Sequence, residues 1–159
     1  MDESALERFF DKNVVSRVNL GCRLDLNLIA RNTWNVKYNP KVFPRVLIQI
    51  RRPRTTASIF SSGVLICMGA TSIEESKVAA RRFARIMQKL GFPVRFLNFK
   101  IQLIMATCSS FPVSLERLAL AHREHCSYEP ELFPCIHYRL QPSHCMIISS
   151  KGNLTLKGN

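Results

Sequence analysis

Tyr38-Asn39-Pro40-Lys41-Val42-Phe43-Pro44 and Tyr128-Glu129-Pro130-Glu131-Leu132-Phe133-Pro134 decide how this chain is read. They share Tyr, Pro, Phe and Pro at identical spacing, 90 positions apart (38 to 128). On either side of them, Gly63-Val64-Leu65 and Gly69 return as Gly152-Asn153-Leu154 and Gly158, and Leu26, Ile29 and Ala30 return as Leu115, Leu118 and Ala119, now 89 positions on. Chance similarity of two amphipathic stretches does not hold almost the same period over three blocks, and the one-residue change implies a small deletion between them. Such a period signals two homologous structural units. They are expected over 13–97 and 98–159, behind an N-terminal tail of residues 1–12.

β-branched, alternating runs mark the strands of the first unit: Val14 to Leu20, Val46 to Arg51, Thr55 to Phe60 and Val64 to Ala70. Pro53 and Ser61-Ser62-Gly63 supply short connections, so the last three form an antiparallel meander. A short helix is expected from Leu24 to Arg31. A longer one starts at Ser72, where Ser72-Ile73-Glu74-Glu75 has the form of a capping box, and stops at Gly91, followed by Pro93. Ala80, Phe83, Ala84, Met87 and Leu90 recur at helical spacing as one apolar face, with Lys77, Arg81, Arg82, Arg85 and Lys89 elsewhere on its surface. The second unit repeats this order with weaker patterning. The counterpart of Ser72 falls at position 161, beyond the 159 residues given, so the second repeat is expected to be truncated, lacking its last helix.

With 23 Lys and Arg against 11 Asp and Glu, the chain carries a formal charge of +12. That imbalance favours a polyanionic partner, because neutralising phosphates releases condensed counterions. A membrane surface is the weaker alternative: no run of about 18 apolar residues occurs, and no charged segment leads into an apolar one at the start. The six cysteines, Cys22, Cys67, Cys108, Cys126, Cys135 and Cys145, read as reduced thiols, several of them core fillers, in a protein of the cytosol or nucleus.

The stretches VNLGCRLDL (Val18 to Leu26), YNPKVF (Tyr38 to Phe43), RRPRTTASIFSSG (Arg51 to Gly63), ARIMQKLGF (Ala84 to Phe92), FKIQ (Phe99 to Gln102) and SYEPELFP (Ser127 to Pro134) occur in this order. Together they closely resemble the conserved core of the TATA-box-binding protein family, in register from about Asn13 to Gly158. The resemblance implies an α+β fold with a two-fold internal repeat. In that fold one curved antiparallel sheet forms a saddle, its concave face on the DNA minor groove and its helices on the convex face. It further implies a nuclear protein that bends core-promoter DNA and nucleates the transcription pre-initiation complex. Its partners are then double-stranded DNA, at an A·T-rich minor groove, and general transcription factors A and B of RNA polymerase II. No cofactor, small-molecule substrate or membrane is implied.

The same resemblance assigns roles by position. Phe43 and Phe60 are the first unit's wedges, pushed between base steps to open the groove. Phe133 is the second unit's, while Ser149 stands where its partner wedge belongs. Asn13 is placed to hydrogen-bond the acceptors of A·T pairs; its repeat mate is Leu103. Val15, Ser58, Ile66, Met68 and Met105 are further groove-facing positions, Ser58 and Met68 departing from the usual Leu and Thr. Arg51, Arg54 and Arg139 are phosphate contacts, with Arg52 beside them. Glu129, Glu131 and Leu132 occupy the stirrup that docks general transcription factor B. Lys37 stands where the family usually carries Glu, in a strand that meets general transcription factor A, and a sign change there disfavours that contact.

Two other classes compete. His122, His125, Cys126, Cys135, His137, His144 and Cys145 lie close together in sequence and invite a zinc site, but no Cys-x-x-Cys pair accompanies them. Hydrolysis finds no nucleophile elbow, phosphate-binding Gly-Lys loop or paired carboxylates, so no enzyme is expected. The second competitor is an interaction protein that kept its factor-binding stirrup and lost DNA binding, favoured by Leu103, Ser149 and the missing helix.

Overall fold

The structure, a computed structural model, describes residues 11–158. The chain divides into two compact units, one of Asn13–Gln102 and one that takes over at Leu103, within strand β6, and to which Asp11 and Lys12 are also assigned. The expected tail lies outside the described residues except for Asp11 and Lys12, which already belong to the first strand.

In the first unit most of β1 (Asp11–Asn19) is followed by helix α1 (Leu26–Asn32), then β2 (Val36–Tyr38), β3 (Arg45–Arg51), β4 (Arg54–Phe60), β5 (Val64–Ala70) and helix α2 (Ile73–Lys89). The strands form an antiparallel sheet in the order β2-β3-β4-β5-β1, containing the expected meander. Strand side chains alternate between faces. Val14, Ser16 and Val18 of β1, Val46 and Ile48 of β3, Ala57 and Ile59 of β4, and Leu65 and Cys67 of β5 are buried on one face. Ala79, Ala80, Phe83, Ala84 and Met87 of α2 join all of these but Val14 and Ser16 in one core cluster. Buried apolar area of this extent is the main stabilising term of the unit.

The second unit holds most of β6 (Leu97–Ser109), helix α3 (Leu115–Ala121), β7 (Cys126–Ser127), β8 (Cys135–Gln141), β9 (His144–Ser149) and β10 (Asn153–Gly158). Its strand order, β7-β8-β9-β10-β6, repeats that of the first unit element for element. Among the described residues α3 is the helix of this unit, and its core cluster is small: Leu115, Ile136 and Ile148 are the buried members.

The repeat extends to single hydrogen bonds. Leu20 N–H donates to Gly63 O and Ser110 N–H to Gly152 O, both at 2.8 Å. Phe43 and Phe133 donate to Asn39 O and Glu129 O at 3.0 and 2.8 Å, closing the same turn in both loops. Gly63 and Gly152 stand at φ +92° and +89°, where a Cβ would lie 2.2 Å from the carbonyl oxygens of Cys22 and Phe111. Only glycine fits either position.

Two local expectations are corrected. Helix α1 begins at Leu26 rather than Leu24, because the Asp25 carboxylate accepts from the N–H groups of Asn27 and Leu28 and so caps the helix there. At α2 the capping box is half made. Ser72 Oγ accepts from Glu75 N–H at 3.1 Å, but the Glu75 carboxylate reaches one residue further back, to the N–H and hydroxyl of Thr71. Those bonds, the hydroxyl's first, hold the Glu75 carboxyl below its ordinary range.

Candidate nucleic-acid interface

Opposite the helix-covered face, the first sheet presents Asn13, Val15 and Arg17 of β1, Arg45, Leu47 and Gln49 of β3, Thr56, Ser58 and Phe60 of β4, and Ile66 and Met68 of β5. Register aligns them in rows: Leu47 faces Ser58, Ser58 faces Ile66 and Ile66 faces Arg17, while Gln49 faces Thr56 and Thr56 faces Met68. Val15, Ser58, Phe60, Ile66 and Met68, singled out from the sequence, thus share one face with Asn13.

Asn13 is oriented by the sheet itself. Its Oδ1 accepts from Gly69 N–H at 2.8 Å. Because that partner is a donor, the atom facing it is the oxygen, and the Asn13 amino group with its two N–H donors is left for a ligand. The minor groove at A·T pairs offers acceptors only, which is the complement of that group.

Phe43 lies in the β2–β3 loop, 56% exposed, and the Arg45 guanidinium carbon sits 5.0 Å from its ring centroid. Arg45 is also the register partner of Phe60. One cation therefore stands between the two expected wedges, a residue the sequence alone did not single out. Arg51 and Arg54 are paired across the β3–β4 turn and both exposed, with Arg52 between them.

Equivalent rows cross the second unit's open face. His137 faces Ile147, Ile147 faces Thr155 and Thr155 faces Thr107; Arg139 faces Cys145, Cys145 faces Lys157 and Lys157 faces Met105. Arg139 and Met105 thus share a row. Leu103 is half-buried in β6, the site of the first unit's amide donor. Phe133 is 42% exposed in the β7–β8 loop, its ring centroid 5.0 Å from that of His137. Ser149 stands in the register position of Phe60, opposite Cys135, and its Oγ accepts from Asn153 N–H at 3.1 Å. Ile147, Thr155 and Lys157 were missed as face residues, although the 89-residue period that links Phe60 to Ser149 also links Ser58, Ile66 and Met68 to them.

Glu129, Glu131 and Leu132 are all exposed in the β7–β8 loop, Leu132 at 81%. The loop thus carries an acidic pair beside a bare leucine. Lys37 is exposed in β2. From Asn13 onward, no residue on the open faces of the described strands is acidic.

All six cysteines are free, and burial pushes the Cys67 thiol up to about 11, so it fills the core as a neutral group. Among the described residues no three His, Cys, Asp or Glu side chains converge as metal ligands; His122 and His125 instead pack their rings against Tyr138. No described helix is long and apolar enough to cross a membrane.

An open sheet face of this composition in each of two repeated units, with exposed phenylalanines on the loops, is the construction of a transcription factor family. The family model for transcription factor TFIID, or TATA-binding protein, matches residues 11–90 and 98–159, and the chain belongs to that family. It is similar to rat TATA box-binding protein-like 2, 55% identical over 149 residues that make up 92% of this chain and 43% of that protein. It is also similar to the TATA-box-binding protein of Acanthamoeba castellanii, 54% identical over 149 residues, 92% of this chain and 58% of the other. The solved structure of the Methanococcus jannaschii TATA-binding protein superimposes with a TM-score of 0.72 at 31% identity, over 92% of this chain and 85% of that one. The chain thus spans about half the length of the curated relatives it matches. The α+β, internally repeated fold inferred from the sequence is that of the family.

Proposed function

We propose that this chain binds the minor groove of A·T-rich double-stranded DNA, bends it at core promoters and nucleates the transcription pre-initiation complex in the nucleus. The observation that carries the proposal is the amide of Asn13, its oxygen held by Gly69, on a face that it shares with Val15, Ile66 and Met68 and that has no acidic residue from Asn13 onward. An apolar sheet can lie on a minor groove only if the groove is opened, and Phe43, Phe60 and Phe133 are the residues to open it by entering between base steps. Arg51, Arg54 and Arg139 contact phosphates and set register without reading sequence. Glu129, Glu131 and Leu132 dock general transcription factor B; general transcription factor A meets β2 at Lys37, where the positive charge weakens its hold.

The salt dependence of binding to a TATA duplex tests the DNA assignment. Most of the free energy comes from counterion release, so log affinity falls steeply and linearly against log salt. A flat line overturns the assignment. An interaction protein that has lost DNA binding is the alternative, favoured by the second unit, where Leu103, Ser149 and Lys157 replace an amide, a wedge and an apolar contact. A gel shift with and without general transcription factor B separates the two: a competitor captures the factor and leaves the duplex unshifted.

A further inference from the structure

Ser58 is the smallest side chain in the row Leu47–Ser58–Ile66 on the first unit's open face, and only 1% exposed. Its hydroxyl oxygen is buried and has no hydrogen-bond partner, although most buried hydroxyls have one. The helix-side neighbours Ala57 and Ile59 belong to the core cluster, so alternation turns Ser58 the other way, toward the face that carries Asn13 and Phe60. The hydroxyl is therefore an unpaired donor and acceptor covered within the row, and a ligand reaches it when the neighbouring side chains swing aside.

The minor groove gives that combination a specific use. A·T and T·A pairs present acceptors there, and G·C adds one feature, the guanine 2-amino donor. A branched aliphatic side chain at this site meets the amino group with bulk and leaves its N–H unpaired, which excludes guanine. A serine leaves room, and its hydroxyl can accept from the amino group or donate to the acceptors of an A·T pair. We propose that Ser58 makes this chain tolerant of a G·C pair at the step over the first unit, where a chain with a bulkier residue demands A·T. The second unit keeps such a residue: Ile147 is the repeat mate of Ser58, so the relaxation is confined to the first unit. The inference rests on DNA binding as proposed above.

The experiment uses the full chain and a set of duplexes in which each pair of an A·T run is changed, one at a time, to G·C or to inosine·C, which lacks the 2-amino group. The parent should bind one G·C variant nearly as well as the A·T duplex. Ser58→Leu should lose roughly tenfold or more on that duplex alone, the scale of one mismatched pair, and recover with inosine·C. Ser58→Ala, which keeps the room and removes the hydroxyl, should fall between them. Ile147→Ser should create a second tolerant position, an arm that stands whether or not Ser58→Leu folds. Parent and Ser58→Leu giving the same profile at every position, with Ile147→Ser creating none, overturns the role of Ser58 while leaving DNA binding intact. If the parent binds no duplex at any salt, DNA binding falls and Ser58 falls with it.

Discussion

The guanidinium carbon of Arg45 lies 5.0 Å from the ring centroid of Phe43, while the Arg45 backbone is the register partner of Phe60. A cation on an exposed aromatic face contributes only about 0.5–1 kcal/mol to stability, so the contact does little to hold the fold. Its consequence is for binding: if Phe43 and Phe60 enter base steps, Arg45 is carried against the phosphates between them. Arg45→Ala should weaken binding evenly across sequences and reduce the salt slope by about one, with little change in stability. Parallel salt titrations of parent and variant check this, and an unchanged slope removes Arg45 from the interface.

Glycine replacements separate the two units. Gly63→Ala and Gly152→Ala each force a side chain into a positive-φ position and onto a backbone carbonyl 2.2 Å away. Both should cost at least about 2 kcal/mol in urea unfolding. Gly91 also has positive φ, at +101°, but nothing lies within 4 Å of its would-be Cβ, so Gly91→Ala should cost less than either, about 1–2 kcal/mol. Equal losses at all three positions contradict the close approach as the cause.

Amide exchange should distinguish the halves. The first unit's core gathers buried residues from β1, β3, β4, β5, α1 and α2, whereas the second's buried members are Leu115, Ile136 and Ile148. Local opening is set by how much apolar contact each segment must break. Amides in Val46 to Ala70 should therefore exchange more slowly than those in Ile136 to Leu156. Equal protection in the two segments argues against this distribution of stability.

Acid should loosen the start of α2 through Glu75. Its folded pKa is depressed below the ordinary 4.5 by the Thr71 hydrogen bonds, so its contribution is present above that value and is lost as pH falls through the depressed one. Glu75 is largely solvent-facing, so screening keeps the effect small. Glu75→Gln should exchange the Thr71 amide faster than the parent at about pH 6, and the difference should shrink as acid protonates the Glu75 carboxyl at a pH below the ordinary carboxylate value. A difference that persists in acid places the cause elsewhere.

The sequence made some of this legible and concealed the rest for physical reasons. Meander strands, α2 with its Ser72 cap, and the paired turns at Phe43 and Phe133 were readable because each rests on local chemistry: alternation, a hydroxyl cap, a Pro-bounded turn. Ser58 was readable as a face residue, but its unpaired hydroxyl depends on Leu47 and Ile66, which come from other strands. Arg45 escaped notice because its importance lies in a contact across the β2–β3 loop. Lys157 and Thr155 escaped for a different reason: the repeat period reaches them, but their residue types do not resemble those of their mates Met68 and Ile66.

Restoring the second unit to the pattern of the first tests the open face of each. Leu103 occupies the repeat position of Asn13, and Ser149 that of Phe60, opposite Cys135 as Phe60 is opposite Arg45. Leu103→Asn would return an amide donor to A·T acceptors, worth ~1–3 kcal/mol where geometry is good. Ser149→Phe gives up the bond its hydroxyl accepts from Asn153 N–H, but supplies a wedge that stabilises a second kink against an unstacking cost of a few kcal/mol. The double variant should bind a TATA-like duplex more tightly than the parent and bend it further. The two gains should not add simply, since both act through one DNA deformation. Fluorescence energy transfer across an end-labelled duplex reads the bend, with Phe60→Ser as the opposing control. If the double variant gains nothing and Phe60→Ser loses nothing, the open faces are not a DNA surface, and the interaction protein that keeps only its Glu129–Leu132 stirrup takes its place.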